Sequence, residues 1–358
     1  MLQALAMWLS LAGLLTGAIL SVAGEPGDEL VKYYEYDSSE PLNPEITKVR
    51  EEDSFIIYKI YYDSVNNVRV PALLIVPKIG KPPYPCIVFL HGYGGSKEDA
   101  IILARVAAPR GYAIFSIDAV YHGERSVPGK ELYSKDLEDS RRGIIQTVID
   151  LRRGVDLLET LDFVDSDRIG YAGGSMGGII GAIFVGVEPR IKAAVIVVGG
   201  GNMTLMLQKS MHPAIPPIRE YIAKIEMSWS EVEELLRPVE PLNFIWRFSP
   251  RPIQFHCGRY DRIVPAEAQR QLVEKAGEPK EIYWYDTGHN VPLEEVVPRA
   301  LEFFDKYLKG AGKTRERGLY ILFILASIAA ACIVAYLKYR VMCVGAGLLK
   351  LTAGGRSK

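Results

Sequence analysis

Residues 168–178 read RIGYAGGSMGG. A short apolar run ends in one serine, Ser175, set among Gly173, Gly174, Gly177 and Gly178; the apolar segment MGGIIGAIFVGV (176–187) begins at the next residue. Glycine weakens strands and helices alike, so the cluster marks a place where the backbone needs freedom. The order strand, G-x-S-x-G, helix supplies a reason. A sharp turn there forces the serine into a strained conformation, and its neighbours must be small for adjacent chains to pass closely. The hydroxyl is then exposed beside the unpaired N–H groups of a helix N-terminus. Ser175 is therefore the candidate nucleophile. Glycine-rich turns of this kind also hold phosphates, so the surrounding pattern must decide.

Outward from Ser175, apolar runs alternate with helical periodicity. Residues 24–50 read as a polar leader. SFIIYKIYYDS (54–64) and VRVPALLIVPK (68–78) read as two strands joined at VNN. YPCIVFLHG (84–92) is a near-continuous apolar run, as in a strand covered on both faces. KEDAIILARVAAPRG (97–111) reads as a helix closed by Gly111, and YAIFSIDAV (112–120) as the next strand. Ile144, Val148, Leu151, Val155 and Leu158 fall at helical spacing and predict a long helix from Leu137 to Thr160. Strands follow at KAAVIVVGGG, RPIQFHCG and EIYWYD, with helices at AEAQRQLVEKAG and around Val297 to Leu308. Residues 201–247 interrupt the alternation and read as a cap insertion. The expected fold is α/β: a mostly parallel sheet of about eight strands with helices on both faces. Ligands in such folds bind beyond the carboxyl ends of the strands, so residues just after each strand carry the information.

A serine hydroxyl needs a base. Of the five histidines, His289 follows the last strand, in WYDTGHN. The base needs an acid to fix its tautomer and support its charge. Asp261 follows the preceding strand, in CGRYDRIVP, and the order Ser175, Asp261, His289 suits this architecture. Asp118, also at a strand end, is the rival acid, though it precedes the nucleophile; Asp286 shapes the loop before His289. An oxyanion needs donors. The Met176 N–H at the helix start is one, and the Tyr93 N–H in LHGYGGSKED the other, with Gly94 as fallback. The Tyr93 ring is also a candidate pocket wall, and His91 is expected to bond its own loop. In DAVYHGERS (118–126), His122, Glu124 or Arg125 could touch substrate, but an internal ion-pair lock on the oxyanion loop is the plainer role. His122 and Glu124 lack a third metal ligand at useful spacing. Met203, Met206, Trp229 and Trp246 are candidate pocket residues from 201–247, and Asn202-Met203-Thr204 fits an N-glycosylation pattern.

The chain has 358 residues with 42 basic and 43 acidic side chains, a balance that gives no electrostatic reason to expect nucleic acid. Two terminal segments raise its apolar share. Residues 1–23 contain an uncharged run ending Ser-Val-Ala, read as a signal peptide or a retained anchor. GLYILFILASIAAACIVAYL (318–337) is 20 residues without a charge, which fits one membrane-spanning helix with a basic tail at 338–358. The expected arrangement puts the catalytic domain (51–312) outside the membrane and the tail inside. Cys86 and Cys257 fall in buried-strand runs and are expected to be free thiols, although a bridge between them is possible by count.

FLHGYGGSKED, DAVYHGERS, GYAGGSMGG, PLNFIWRFSPRPIQFHCGRYDRIVP and TGHN, in this order, resemble the landmarks of an α/β-hydrolase. The likeness is to the branch that joins prolyl-oligopeptidase-like, dienelactone-hydrolase-like and acetyl-xylan-esterase-like enzymes, and it covers roughly residues 50–310. It implies Ser175 as nucleophile, Asp261 as acid and His289 as base, an oxyanion hole from Tyr93 and Met176, and no cofactor. Only about 50 residues precede the first strand, too few for the propeller of an oligopeptidase. The leading expectation is a serine carboxylester hydrolase acting on a small or short-chain acyl ester. An exopeptidase using Arg125, Glu124 or Arg259 as a charged anchor is the alternative. A non-catalytic surface binding protein is the reading from another class.

Overall fold

The structure is a computed structural model in which residues 28–310 are described. Nine strands form one sheet: β1 (Glu45–Glu51), β2 (Phe55–Asp63), β3 (Arg69–Pro77), β4 (Tyr84–Leu90), β5 (Ala113–Ile117), β6 (Val164–Gly174), β7 (Ile191–Val197), β8 (Ile253–Gly258) and β9 (Lys280–Tyr285). Their order across the sheet is β1-β2-β3-β5-β4-β6-β7-β8-β9. The β1–β2, β2–β3 and β3–β5 pairs are antiparallel, and every later pair is parallel. The helices are α1 (Asp28–Val31), α2 (Ala100–Ala107), α3 (Leu137–Glu159), α4 (Met176–Val187), α5 (Met203–Lys209), α6 (Ile215–Lys224), α7 (Trp229–Leu236), α8 (Ala266–Lys275) and α9 (Leu293–Leu308).

Neighbouring residues on the central strands face opposite sides, as a pleat requires. Ile87, Ile114 and Ala193 pack with α2 and α9, through Ala104, Leu301 and Phe304. Val88, Phe115 and Ala194 pack on the other face, with Val148, Ile180 and Leu272 of α3, α4 and α8. Burial on both faces explains why these strands read as continuous apolar runs.

The polar leader contains a strand that its composition hides. All seven residues of β1 are exposed, and Lys48, Arg50 and Glu51 carry surface ion pairs. The strand lies at the sheet edge with a register shift between Lys48 and Arg50. Charged side chains and a bulge discourage pairing with another chain, and they also erase the apolar signal of a strand. The expected hairpin, long helix and closing helix are present; Gly111 (φ 78°) and Gly310 (φ 73°) follow their helices in the left-handed conformation. Cys86 and Cys257 are free and buried, and burial pushes the Cys257 thiol up to about 12. Residues 1–23, the apolar stretch 318–337 and the basic tail lie outside the described residues. Among the described residues no helix is long and apolar enough to cross a membrane.

One side chain pins α4, the helix that begins at Met176. The Arg251 guanidinium donates to the carbonyls of Val185 (3.0 Å), Glu188 (2.7 Å), Ile191 (2.9 Å) and Phe248 (3.1 Å). It thereby satisfies the orphan carbonyls where α4 ends and β7 begins. Burial lowers its pKa to about 10, so it stays charged at neutral pH. Arg251→Leu strands several of these carbonyls and is expected to cost about 3 kcal/mol. Thermal denaturation should report a Tm lower by roughly 6–12 °C; an unchanged Tm would contradict the role.

Candidate active site

Ser175 sits between β6 and α4 with φ 54° and ψ −119°, a region that L-residues rarely adopt. Two bonds hold it there: its N–H donates to Val197 O (2.9 Å) and its C=O accepts from Ile179 N–H (2.9 Å). The surrounding glycines are required by space. A Cβ on Gly177 would lie 2.1 Å from Leu90 O, and one on Gly173 2.5 Å from Gly177 O. The first turn of α4 thus lies directly against the end of β4. The adjacent loop lies in ordinary van der Waals contact, since a Cβ on Gly92 would meet Ser175 Cβ at 3.8 Å.

His289 Nε2 lies 2.9 Å from Ser175 Oγ, and His289 Nδ1 lies 2.7 Å from Asp261 Oδ2. A carboxylate can only accept, so Nδ1 carries the proton and Nε2 is free to accept from the hydroxyl. The Asp261 side chain is fully buried. It accepts from Ile263 N–H (2.8 Å), Val264 N–H (3.1 Å) and the Gln269 amide (2.7 Å). These bonds fix its position. Gln269, absent from the expected set, is the most informative omission. Its amide also donates to Val264 O (2.8 Å), and its carbonyl accepts from Gly258 N–H (3.1 Å), so it ties the end of β8 to the Asp261 loop. The signal was a glutamine on the buried face of α8, beside Ala268 and Leu272.

The rival acid is committed elsewhere. Asp118 accepts from Lys97 N–H (2.8 Å), Lys97 Nζ (2.9 Å) and Glu124 N–H (2.9 Å). Lys97 is buried and also reaches Glu98 and Glu124 (2.9 and 2.5 Å). Arg125 donates to Asp118 O (3.1 Å) and Asp150 (2.7 Å). The loop 118–126 therefore clamps the β4 loop through ion pairs. His91 does the same from inside. Ala119 N–H donates to its Nε2 (3.1 Å), so Nδ1 carries a proton toward Gly92 O (2.8 Å). Burial holds His91 neutral down to about 4. The clamp orients the segment bearing the Tyr93 N–H. Neither that amide nor the Met176 N–H has a hydrogen-bond partner among the described residues.

The family model described as acetyl xylan esterase matches residues 29–199, which include Tyr93, Ser175 and Met176. The chain is similar to the acetyl-xylan-esterase-like branch of the α/β-hydrolases. Acetyl xylan esterase 1 from Thermoanaerobacterium sp. JW/SL YS485 shares the fold with a TM-score of 0.69 and 21% identity, over 80% of this chain and 94% of that one. The Bacillus subtilis protein YitV is 27% identical over 237 residues, covering 63% of this chain and 89% of its own. Esterase YjfP of Escherichia coli is 22% identical over 231 residues, covering 63% and 90%. This chain is a hydrolase of the esterase class.

The hydrolase encloses a cavity over Ser175, walled by Tyr93 and Met176, by Met203 and Met206 of α5, and by α6 and α7 above. Tyr93 stacks on Tyr133 (5.1 Å between centroids) and meets His212 edge-on (4.8 Å); its hydroxyl donates to Glu131 (2.5 Å). Burial and the nearby His289 lower the His212 pKa. Three expected wall residues stand outside the cavity. His122 is buried behind Tyr93, edge-on to its ring (5.3 Å), with Nδ1 on Val120 O (2.9 Å). Trp229 packs against the core at the start of α7, and the Trp246 indole donates to Asn243 O (3.0 Å). Tyr133, His212, Ile215 and Ile218 occupy the wall instead. Asn202 serves as the N-cap of α5, accepting from Leu205 N–H (2.9 Å).

His91 and His256, the latter held neutral to about 3 by burial, are both uncharged in the folded chain. The unfolded chain protonates them near about 6.5. The folded pKa values are depressed, so stability is full above that pH and falls as the pH drops toward 4. Tm should decline between about pH 6.5 and 5, ahead of most carboxylates, and His91→Asn should flatten the decline. A flat wild-type profile would contradict the buried neutral imidazoles.

Proposed function

We propose that this hydrolase cleaves small-molecule carboxylic esters with a small or short-chain acyl group, through an acyl-enzyme. The carrying observation is the hydrogen-bond chain from Asp261 through His289 to Ser175. Ser175 Oγ attacks the ester carbonyl while His289 Nε2 takes its proton. The negative oxygen that forms is met by the Met176 and Tyr93 amides. The buried Asp261 carboxylate supports the imidazolium, which returns the proton to the departing alcohol. Water then attacks the acyl-enzyme by the same route. Amide cleavage by an exopeptidase would need a fixed charge for a peptide terminus. Glu124 and Arg125 are spent on the loop clamp, and Arg259 pairs with Asp286 (3.0 Å).

The tether is part of the proposal. The uncharged stretch 318–337 anchors the enzyme in a membrane, with the catalytic domain on the extracytoplasmic side. The protein should then resist release from membranes by high salt or carbonate and yield only to detergent; release by carbonate would remove this part.

On p-nitrophenyl butanoate, Ser175→Ala should lose at least about 10³-fold in kcat, and Asp261→Asn about 10⁴-fold through the wrong imidazole tautomer. Full activity in either variant would contradict the assignment.

A further inference from the structure

The cavity wall narrows the acyl group. We infer that the enzyme prefers a linear, apolar acyl chain of about four to eight carbons over acetyl; the inference rests on the esterase reading above. Ser175 opens into a cleft whose wall is almost wholly apolar. Ile144 and Ile179 form its base, Met206, Ile218 and Leu236 close it from the cap, and Val264 flanks it. An acetyl group would leave most of this wall without contact. A chain covers it, and the methionine side chain adapts to variable length.

Most polar atoms in the wall are turned to the protein. Ser210 Oγ donates to Ile263 O (2.5 Å) and accepts from His212 N–H (3.0 Å). His212 Nδ1 accepts from Ala214 N–H (3.2 Å). Ser140 Oγ donates to Asp136 O (3.1 Å), and the Tyr93 hydroxyl donates to Glu131 (2.5 Å). Tyr133 Oη has no partner among the described residues. With the His212 Nε2–H, which Nδ1 acceptance leaves protonated, this makes two polar groups; two cannot serve a sugar ring, whose remaining hydroxyls would be buried unpaired. The wall therefore disfavours a carbohydrate here and leaves any polar alcohol to the open mouth.

The test is the chain-length profile of the full-length protein on p-nitrophenyl acetate, butanoate, hexanoate and octanoate. Each methylene that enters an apolar site is worth roughly fourfold in kcat/KM. Hexanoate should exceed acetate by at least about tenfold, a floor below the full methylene sum. Ile218→Phe fills the space under the cap and should cut the hexanoate-to-acetate ratio by about fivefold or more. That ratio does not depend on how much of the variant folds. A wild-type preference for acetate, or a ratio that Ile218→Phe leaves unchanged, overturns the chain-length inference and leaves the esterase reading standing. Failure of the wild type to turn over any ester overturns both.

Discussion

The left-handed backbone of Ser175 is the constraint from which the rest of the site follows. That conformation costs of order 1–3 kcal/mol and persists only when its surroundings over-determine it. Here the Val197 carbonyl, the Ile179 amide and the backbone contact at Gly177 together do so. The same geometry sets the Ser175 hydroxyl beside the start of α4 and brings the β4 loop alongside. Arg251 secures the far end of the same helix, so a side chain remote from the chemistry helps set the position of the nucleophile.

Two polar clusters flank this point and divide the work. The one around Asp261 and Gln269 concentrates hydrogen bonds on a single carboxylate and so fixes the direction of the imidazole. The other, around Lys97, Asp118 and His91, touches no reacting atom and holds the loop that carries Tyr93. Breaking a buried pair by removing one partner is far more damaging than the net worth of the pair. The second cluster is therefore a point of fragility as well as order. Between the clusters the cap adds an almost wholly apolar surface, so on the proposed reading specificity on the acyl side rests on shape and length.

The convergence of Ser175, Asp261 and His289 was legible because such residues fall at strand ends. Ser175, Asp261 and His289 each follow an apolar run, and the sheet order brings β6, β8 and β9 to the same rim. Asp118 satisfies the same local rule; its chain order, its lysine partner and the bond that Asp261 makes to His289 separate the two. The wall was less legible. Trp229 and Trp246 have the composition of a ligand pocket, but nothing in local sequence says which face of a short cap helix turns inward. Tyr133 and His212 reach the wall from segments with no strong periodicity. The edge strand β1 was hidden because solvent on both sides removes the apolar alternation on which a strand is recognised.

The most direct measurement is covalent capture of the nucleophile. A fluorophosphonate reacts with a serine only where a base and an oxyanion site activate it. Peptide mapping of the labelled full-length protein should place the adduct on Ser175, with labelling slowed strongly in His289→Ala. An adduct on another residue, or none at all in folded protein, would contradict the catalytic account.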